Sequence, residues 1–330
     1  MRAMLLYAGI DEAGYGPLMG PLCVGCSAWT IDGEHPPESP PDLWALMRGA
    51  ICRKARDRKG RVAVADSKQL KGSAKAKRHP LSEIERGVLA LLSIAADCPG
   101  FPATDAEFLS TVGAELLDSR GPWYEGATEL PVAGDHSRVA IGRAMIVRAC
   151  AKGSVRDHRV SCLSADAVEI NEAARSGAVK SSVPWTLLMR HIHALRKRHS
   201  DLPLRVAVDR QGGRVRYRED LMREFDGARL TILTEDERES AYRLDGIGAP
   251  CVISFSVEGE QHHLPIALAS MTAKYTRELW MIRLNRWFAS QVDGVRPTAG
   301  YVEDGRRFLA CVRGALADRE LPEALLVRSI

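Results

Sequence analysis

The chain has no long hydrophobic run. Its longest apolar stretch near the N-terminus, Met4 to Ile10, breaks off at Asp11-Glu12. That is too short for a signal peptide or a membrane span, and no later stretch reaches the ~20 apolar residues a spanning helix needs. Net charge is also scarce: 46 Lys and Arg against 42 Asp and Glu leave +4 over 330 residues. A balance this even excludes a chain that is basic throughout, so a polyanionic partner must be met by local patches with acids elsewhere offsetting them. The eight cysteines lack framework spacing, and the one close pair, Cys23 and Cys26, has no second pair of ligands to complete a zinc site. Both read as small core residues of a strand. Internal repeats and low-complexity tracts are missing. What remains is 45% hydrophobic and 27% charged, an ordinary globular composition with enough chain for a sizeable core. A reduced, cytoplasmic, monomeric protein without membrane contact is the expectation.

The apolar runs Met4–Asp11 and Cys23–Ile31 are rich in strand formers, and the glycines Gly14, Gly16 and Gly20 between them predict an antiparallel pair with a tight connection. Leu43–Arg58 reads as a helix with a basic far end. Residues 97–137 are broken repeatedly by glycine and proline and predict an irregular excursion with short helices. Trp185–Arg198 carries Leu187, Leu188, Ile192 and Leu195 at helical spacing. Val160–Leu163, Leu204–Val208, Leu230–Leu233 and Cys251–Val257 read as strands; Ile266–Phe288 and Gly305–Leu316 read as helices. Interleaved strands and helices, with apolar strands ending in acids, indicate an α/β domain around a central sheet.

Two strands stop at carboxylates, one at Asp11-Glu12 and one at Asp209. Successive strand side chains face opposite ways, so Asp11 and Glu12 serve one site only if the strand ends or bends there; Ala13-Gly14-Tyr15-Gly16-Pro17 supplies such a bend. Neighbouring strand ends would bring these acids together, and gathered carboxylates with few cations call for a divalent ion. Hard oxygen ligands suit Mg²⁺ or Mn²⁺, and a two-metal site hydrolyses phosphodiesters. Taken singly, an acid at a strand end is more often a solvated turn residue.

Gly9-Ile10-Asp11-Glu12-Ala13-Gly14-Tyr15-Gly16-Pro17-Leu18-Met19-Gly20-Pro21 closely resembles the opening motif of the type 2 ribonucleases H, which include ribonucleases HII and HIII. In the same order, Asp66-Ser67-Lys68-Gln69-Leu70 resembles that family's DSK-x-L element. Val206–Asp209 resembles the strand bearing its next aspartate, and Ala269–Glu278 the helix bearing its last acid. Ala165–Leu195 is more loosely similar to the passage before the third of these, and Gly300-Tyr301 to a C-terminal Gly-Tyr. The resemblance implies a ribonuclease H-like fold, a five-stranded mixed sheet flanked by helices. It implies metal ligation and catalysis by Asp11, Glu12, Asp209 and Glu278 with Mg²⁺ or Mn²⁺. It also implies substrate contacts from Gly14, Tyr15, Gly16, Lys68, Lys274 and Tyr301. The implied substrate is an RNA–DNA hybrid or a duplex containing ribonucleotides, cut to leave 5′-phosphate and 3′-hydroxyl ends. Lys274 is equally an i,i+4 surface partner of Glu278.

The chain departs from the pattern in four places. Glu278 stands where ribonuclease HII has aspartate, as in ribonuclease HIII. Tyr15 replaces the arginine of Gly-Arg-Gly, so it either stacks on a sugar or base or packs at the sheet edge. Tyr301 matches by its Gly-Tyr context alone. Finally, the chain is longer, with extra sequence at about 75–155 and 212–260 ahead of a helical C-terminal part, 266–330, all read as one catalytic domain over 1–330. The acidic group Glu235, Asp236, Glu237, Glu239 and Asp245 reads as a wet surface unless one member lies near the metals. The basic runs Arg53–Arg61, Lys68–Arg78 and Arg190–His199 are candidate phosphate contacts, and His191, His193 and His199 read as surface. Two alternatives remain: a nuclease of this fold redirected to another nucleic acid, and a nucleic-acid-binding relative with weak or lost catalysis.

Overall fold

The computed structural model describes residues 3–55, 57, 59–72, 78–92, 100–116, 121–210 and 212–329. The strands are β1 (Met4–Ala13), β2 (Leu22–Asp32), β3 (Ile51–Cys52), β4 (Val62–Ala63), β5 (Val155–Ala165), β6 (Leu204–Asp209), β7 (Arg229–Glu235), β8 (Glu239–Asp245) and β9 (Cys251–Ser256). The helices are α1 (Leu43–Leu46), α2 (Ser67–Leu70), α3 (Ser82–Ala90), α4 (Asp105–Val112), α5 (His136–Lys152), α6 (Ala167–Arg175), α7 (Ser182–Arg198), α8 (Arg218–Glu224), α9 (Leu264–Gln291) and α10 (Val302–Ala317).

Seven strands form one mixed sheet in the order β5-β2-β1-β6-β9-β8-β7. β2 runs antiparallel to both β1 and β5, whereas β1, β6 and β9 are mutually parallel. The runs read as strands fall in β1, β2, β5, β6, β7 and β9. The sheet exceeds the five strands that the resemblance implies because the hairpin β7–β8 pairs along the edge of β9. Alternation divides β1 between two cores. Leu5 and Tyr7 lie on the face covered by α3, α4, α9 and α10, and Leu6, Ala8 and Ile10 on the face covered by α7 and α8. Cover on both faces accounts for strands that read as continuous apolar runs.

Two glycines set how closely α9 crosses the sheet. A Cβ on Gly9 would lie 2.1 Å from the backbone of Pro265 and Ile266, and one on Gly25 would lie 2.3 Å from the Ala269 carbonyl oxygen. The bare backbone lets a helix buried on almost every side lie directly on β1 and β2. The 75–155 segment packs on the same helix. Glu85 of α3 is 1% exposed and accepts hydrogen bonds from Val132 N, Ala133 N and Tyr275 Oη. Asp105, fully buried at the start of α4, forms a two-pronged ion pair with Arg283 of α9, both contacts at 2.8 Å.

Two expectations change, and the reading of Cys23 and Cys26 as core residues of a strand holds. The helix over Leu43–Arg58 is one turn, Leu43–Leu46, capped by Asp42. The chain then bends into β3 because Ile51 and Cys52 pair with Val62 and Ala63, a tertiary pairing that overrides local helix propensity. Cys23 and Cys26 are buried on opposite faces of β2, one in each core, so they cannot ligate one metal. His191 is not on the surface: it is 4% exposed, with Nε2 2.9 Å from the Val24 carbonyl oxygen. Pro99 of the broken stretch and Arg56, Arg58, Lys75 and Lys77 of the basic runs lie outside the described residues.

Candidate active site

The parallel register of β1 and β6 pairs Ile10 with Val208. One step further along stand Asp11 and Asp209, and residues paired across parallel strands project from the same face. That face is the one beneath α9, since Tyr7 and Ala207 on it belong to the α9 core. Sheet geometry therefore places the two carboxylates side by side at the C-terminal ends of adjacent strands. Asp11 is 9% exposed; its Oδ1 accepts the Glu12 N–H at 2.7 Å, and the Ser270 hydroxyl of α9 also bonds to it. Ser270 meets Ser67 Oγ at 3.1 Å. This contact docks the Asp66-Ser67-Lys68 element against the site, with Asp66 capping α2. Asp209 Oδ1 accepts the Gly259 N–H at 3.0 Å from the turn that leads into α9.

Burial, and after it the charge of Glu12, holds the Asp11 carboxyl above the usual carboxylate range. Burial followed by the Asp11 charge does the same to Asp209, and Glu260 adds to both. No lysine or arginine figures among the main influences on either acid. A buried and a half-buried carboxylate repelling one another without a counter-cation are a donor set whose chemistry fits a hard divalent ion. Among the described residues, however, no three His, Cys, Asp or Glu side chains are already gathered to hold a metal.

Glu12 and Glu278 depart from the expected arrangement. β1 does not stop at Asp11: it stays paired with β2 as far as Ala13, opposite Cys23. Alternation turns Glu12 from the Asp11 face, yet its charge still acts on Asp11; it also adds to burial in raising the Tyr15 phenol and contributes at Tyr217. Glu278 lies two turns along α9 from Ser270. Its Oε1 accepts Lys71 Nζ at 2.6 Å and Lys274 Nζ at 3.2 Å, and although burial raises its pKa most, the two lysines hold it below the ordinary range. The i,i+4 partnership of Lys274 and Glu278 is thus present. Lys68 is exposed on α2.

The connection Gly14–Gly20 leaves β1 directly after Asp11, Glu12 and Ala13. Gly14 (φ 92°) and Gly20 (φ 80°) adopt the left-handed region that favours glycine, and a Cβ on Gly14 would meet Arg277 Nε at 2.7 Å. Tyr15 is exposed and borders a cavity of about 170 Å³ with Leu22, Val183 and Lys180. It is not packed into the sheet edge. Tyr301 is also exposed, its ring centroid 6.0 Å from the Arg277 guanidinium, and Gly300 before it accepts the N–H groups of Leu18 and Met19.

Sequence reasoning missed Glu260, Lys71 and Arg328. Glu260 offered the signal already used for Asp209, an acid just past an apolar strand; what was lacking was knowledge that β9 lies beside β6. Lys71 gave no signal apart from its place in a basic run. None of Glu235, Asp236, Glu237, Glu239 or Asp245 figures among the main influences on the site acids. Instead Glu235 accepts from Tyr242 Oη, Asp236 caps the β7–β8 turn, and Glu239 reaches Arg205.

No protein-family model and no curated protein matches the chain. Solved structures do. The ribonuclease HII of Archaeoglobus fulgidus, in its complex with PCNA, is 16% identical, with a TM-score of 0.42 over 98% of this chain and 94% of that one. Ribonuclease H2 of Pyrococcus horikoshii OT3 is 14% identical, with a TM-score of 0.46 over 98% and 92%. Bst-RNase HIII in complex with Mn²⁺ is 14% identical, with a TM-score of 0.46 over 99% of this chain and 67% of that one.

Proposed function

We propose that the protein is a divalent-metal-dependent endonuclease that hydrolyses the RNA strand of RNA–DNA hybrids, or the bond at a ribonucleotide in duplex DNA. What carries this reading is the lateral pairing of Asp11, buried, with Asp209, half-buried, on adjacent strand ends with no cation among the main influences on either, inside motifs that resemble the type 2 ribonucleases H. Asp11 and Asp209, joined by Glu12 and by Glu278 once it is released from Lys71, are the residues that would hold Mg²⁺ or Mn²⁺. Bound there, such ions supply an activated water and stabilise the leaving 3′-oxygen, which gives 5′-phosphate and 3′-hydroxyl ends.

The chain's own residues do the rest. Ser270 and the N–H groups of Glu12 and Gly259 fix the two carboxylates in place. The loop from Gly14 to Gly16 offers backbone groups to the sugar, where a 2′-hydroxyl separates RNA from DNA. Lys68, exposed beside the site, and Lys274 face the phosphates, while Tyr15 and Tyr301 present aromatic faces for sugars or bases.

The test is cleavage of two labelled duplexes, one with a single ribonucleotide and one with an RNA tract, in Mg²⁺ and in Mn²⁺, beside the Asp209→Asn protein. The expected result is cutting by the wild type and a drop of about 10³-fold or more in the variant. Failure of well-folded wild type to cut either duplex with metal present would discard the reading in favour of another substrate or of binding alone.

A further inference from the structure

The loop that carries Gly14, Tyr15 and Gly16 is held from behind by a residue some 310 positions away in the chain, an interval set by the bonds of Arg328. The Arg328 side chain is 5% exposed, and its guanidinium donates to the carbonyl oxygens of Gly14, Pro17 and Gly20. Its own N–H donates to Leu18 O at 3.0 Å, and Val327 bridges Met19. The segment bearing it is clamped in turn by buried Asn171 of α6. The Asn171 amide donates to Ala324 O and Val327 O, both at 2.9 Å, and its oxygen accepts Ser329 N. A second guanidinium, Arg277 (2% exposed), donates to Met19 O at 3.2 Å and Ala299 O at 2.9 Å.

Among the described contacts of Arg328 the acceptors are carbonyls and none is a carboxylate. Burying a guanidinium without a paired anion is costly, and a neutral donor would serve if a single tether were all that was needed. Three carbonyls converging on one rigid fork do something more specific: they fix which way the peptide planes face. In a trans peptide the C=O and the following N–H point in opposite directions. With the Gly14 carbonyl drawn inward onto Arg328, the Tyr15 N–H points away from it.

We propose that Arg328 is the positioning residue of the Gly14–Gly20 loop: by turning the Gly14 carbonyl inward it presents the Tyr15 N–H to the substrate sugar and thereby sets the preference for ribose over deoxyribose. This rests on the hybrid-nuclease reading above. Arg328 touches no reacting atom; it acts through the loop.

Two measurements on Arg328→Gln and Arg328→Lys test this. The first is amide hydrogen exchange of residues 14–20 without substrate. In Arg328→Gln, exchange there is expected to rise about tenfold or more while that of 206–208 stays unchanged. The second compares kcat and KM on a single-ribonucleotide duplex with affinity for the all-DNA duplex of the same sequence. The expected result is a fall in kcat/KM of about 10–100-fold with DNA affinity within about twofold, and partial recovery in Arg328→Lys. Unchanged loop exchange, or a parallel loss on both duplexes, would overturn the proposal. Wild type that cuts neither duplex would sink the nuclease reading itself, and the role in sugar choice with it; the exchange measurement would still show separately whether Arg328 holds the loop.

Discussion

Asp11 and Asp209 are a local cost to the fold. A carboxyl whose pKa is raised by folding binds its proton more tightly in the native than in the unfolded chain. Its contribution is therefore fully present at acid pH and is lost as pH rises from the ordinary carboxylate range through the raised values. Metal-free protein is accordingly expected to lose thermal stability between about pH 4 and about pH 8 at this pair, and Mg²⁺ or Mn²⁺ to restore it chiefly at the upper end. Asp209→Asn is expected to gain ~1 kcal/mol, about 2–4 °C in Tm, without metal, and to forfeit most of the metal-induced gain. Melting curves at pH 5 and pH 8, with metal and with chelator, check this. Equal metal response in the variant would show that the ion sits elsewhere. At this scale Asp11 and Asp209 were legible as acids closing apolar strands. The lysine grip on Glu278 was not, because Lys71 approaches it across 207 residues of sequence.

α9 organises the elements around it. It rests on Gly9 and Gly25 and receives Asp105 through Arg283 and Glu85 through Tyr275, while its first turn follows the Asp209–Gly259 contact. Its existence was readable from the sequence; its reach was not, because nearly every side is buried and no polar stripe marks which face meets what. The helix expected over Leu43–Arg58 failed for a related reason: Ile51 and Cys52 are claimed by β4, a partner that periodicity does not record. Removing the buried charge opposite Arg283 isolates one of these attachments. Asp105→Ala leaves a guanidinium 7% exposed without its carboxylate and is expected to cost about 3–5 kcal/mol, measurable by urea denaturation. A loss below about 1 kcal/mol would mean that the 100–130 segment is held by its apolar contacts alone.

Across the whole molecule, the near-neutral charge matches how its cations are spent. Arg53 lies 3.5 Å from the Trp44 ring centroid, Arg61 pairs with Asp57, and Arg86 and Arg196 donate to backbone carbonyls. Part of what reads as basic runs is thus engaged within the protein, while Lys54, Lys59, Lys68, Arg78, Arg190, Lys197 and Arg198 are exposed. Binding to duplex is expected to be correspondingly mild in its salt dependence, with a log–log slope of about −2 to −4. Titrations from low to high NaCl measure it, and a slope steeper than about −7 would show that these runs grip phosphates after all. No helix among the described residues is long and apolar enough to cross a membrane. Six of the seven strands of the main sheet, β7 among them, were legible as apolar runs, whereas β8 was hidden because Glu239–Asp245 looks like an acidic surface rather than a strand.

The register of β1 against β6 also acts as a proofreading rule. A slip of one residue would set Val208 beside Asp11 and turn Asp209 to the opposite face. A chain that zips its central strands out of phase thus dismantles the proposed ion-binding pair in the same step, and on that reading the fraction of molecules able to take up Mn²⁺ becomes a direct gauge of folding fidelity.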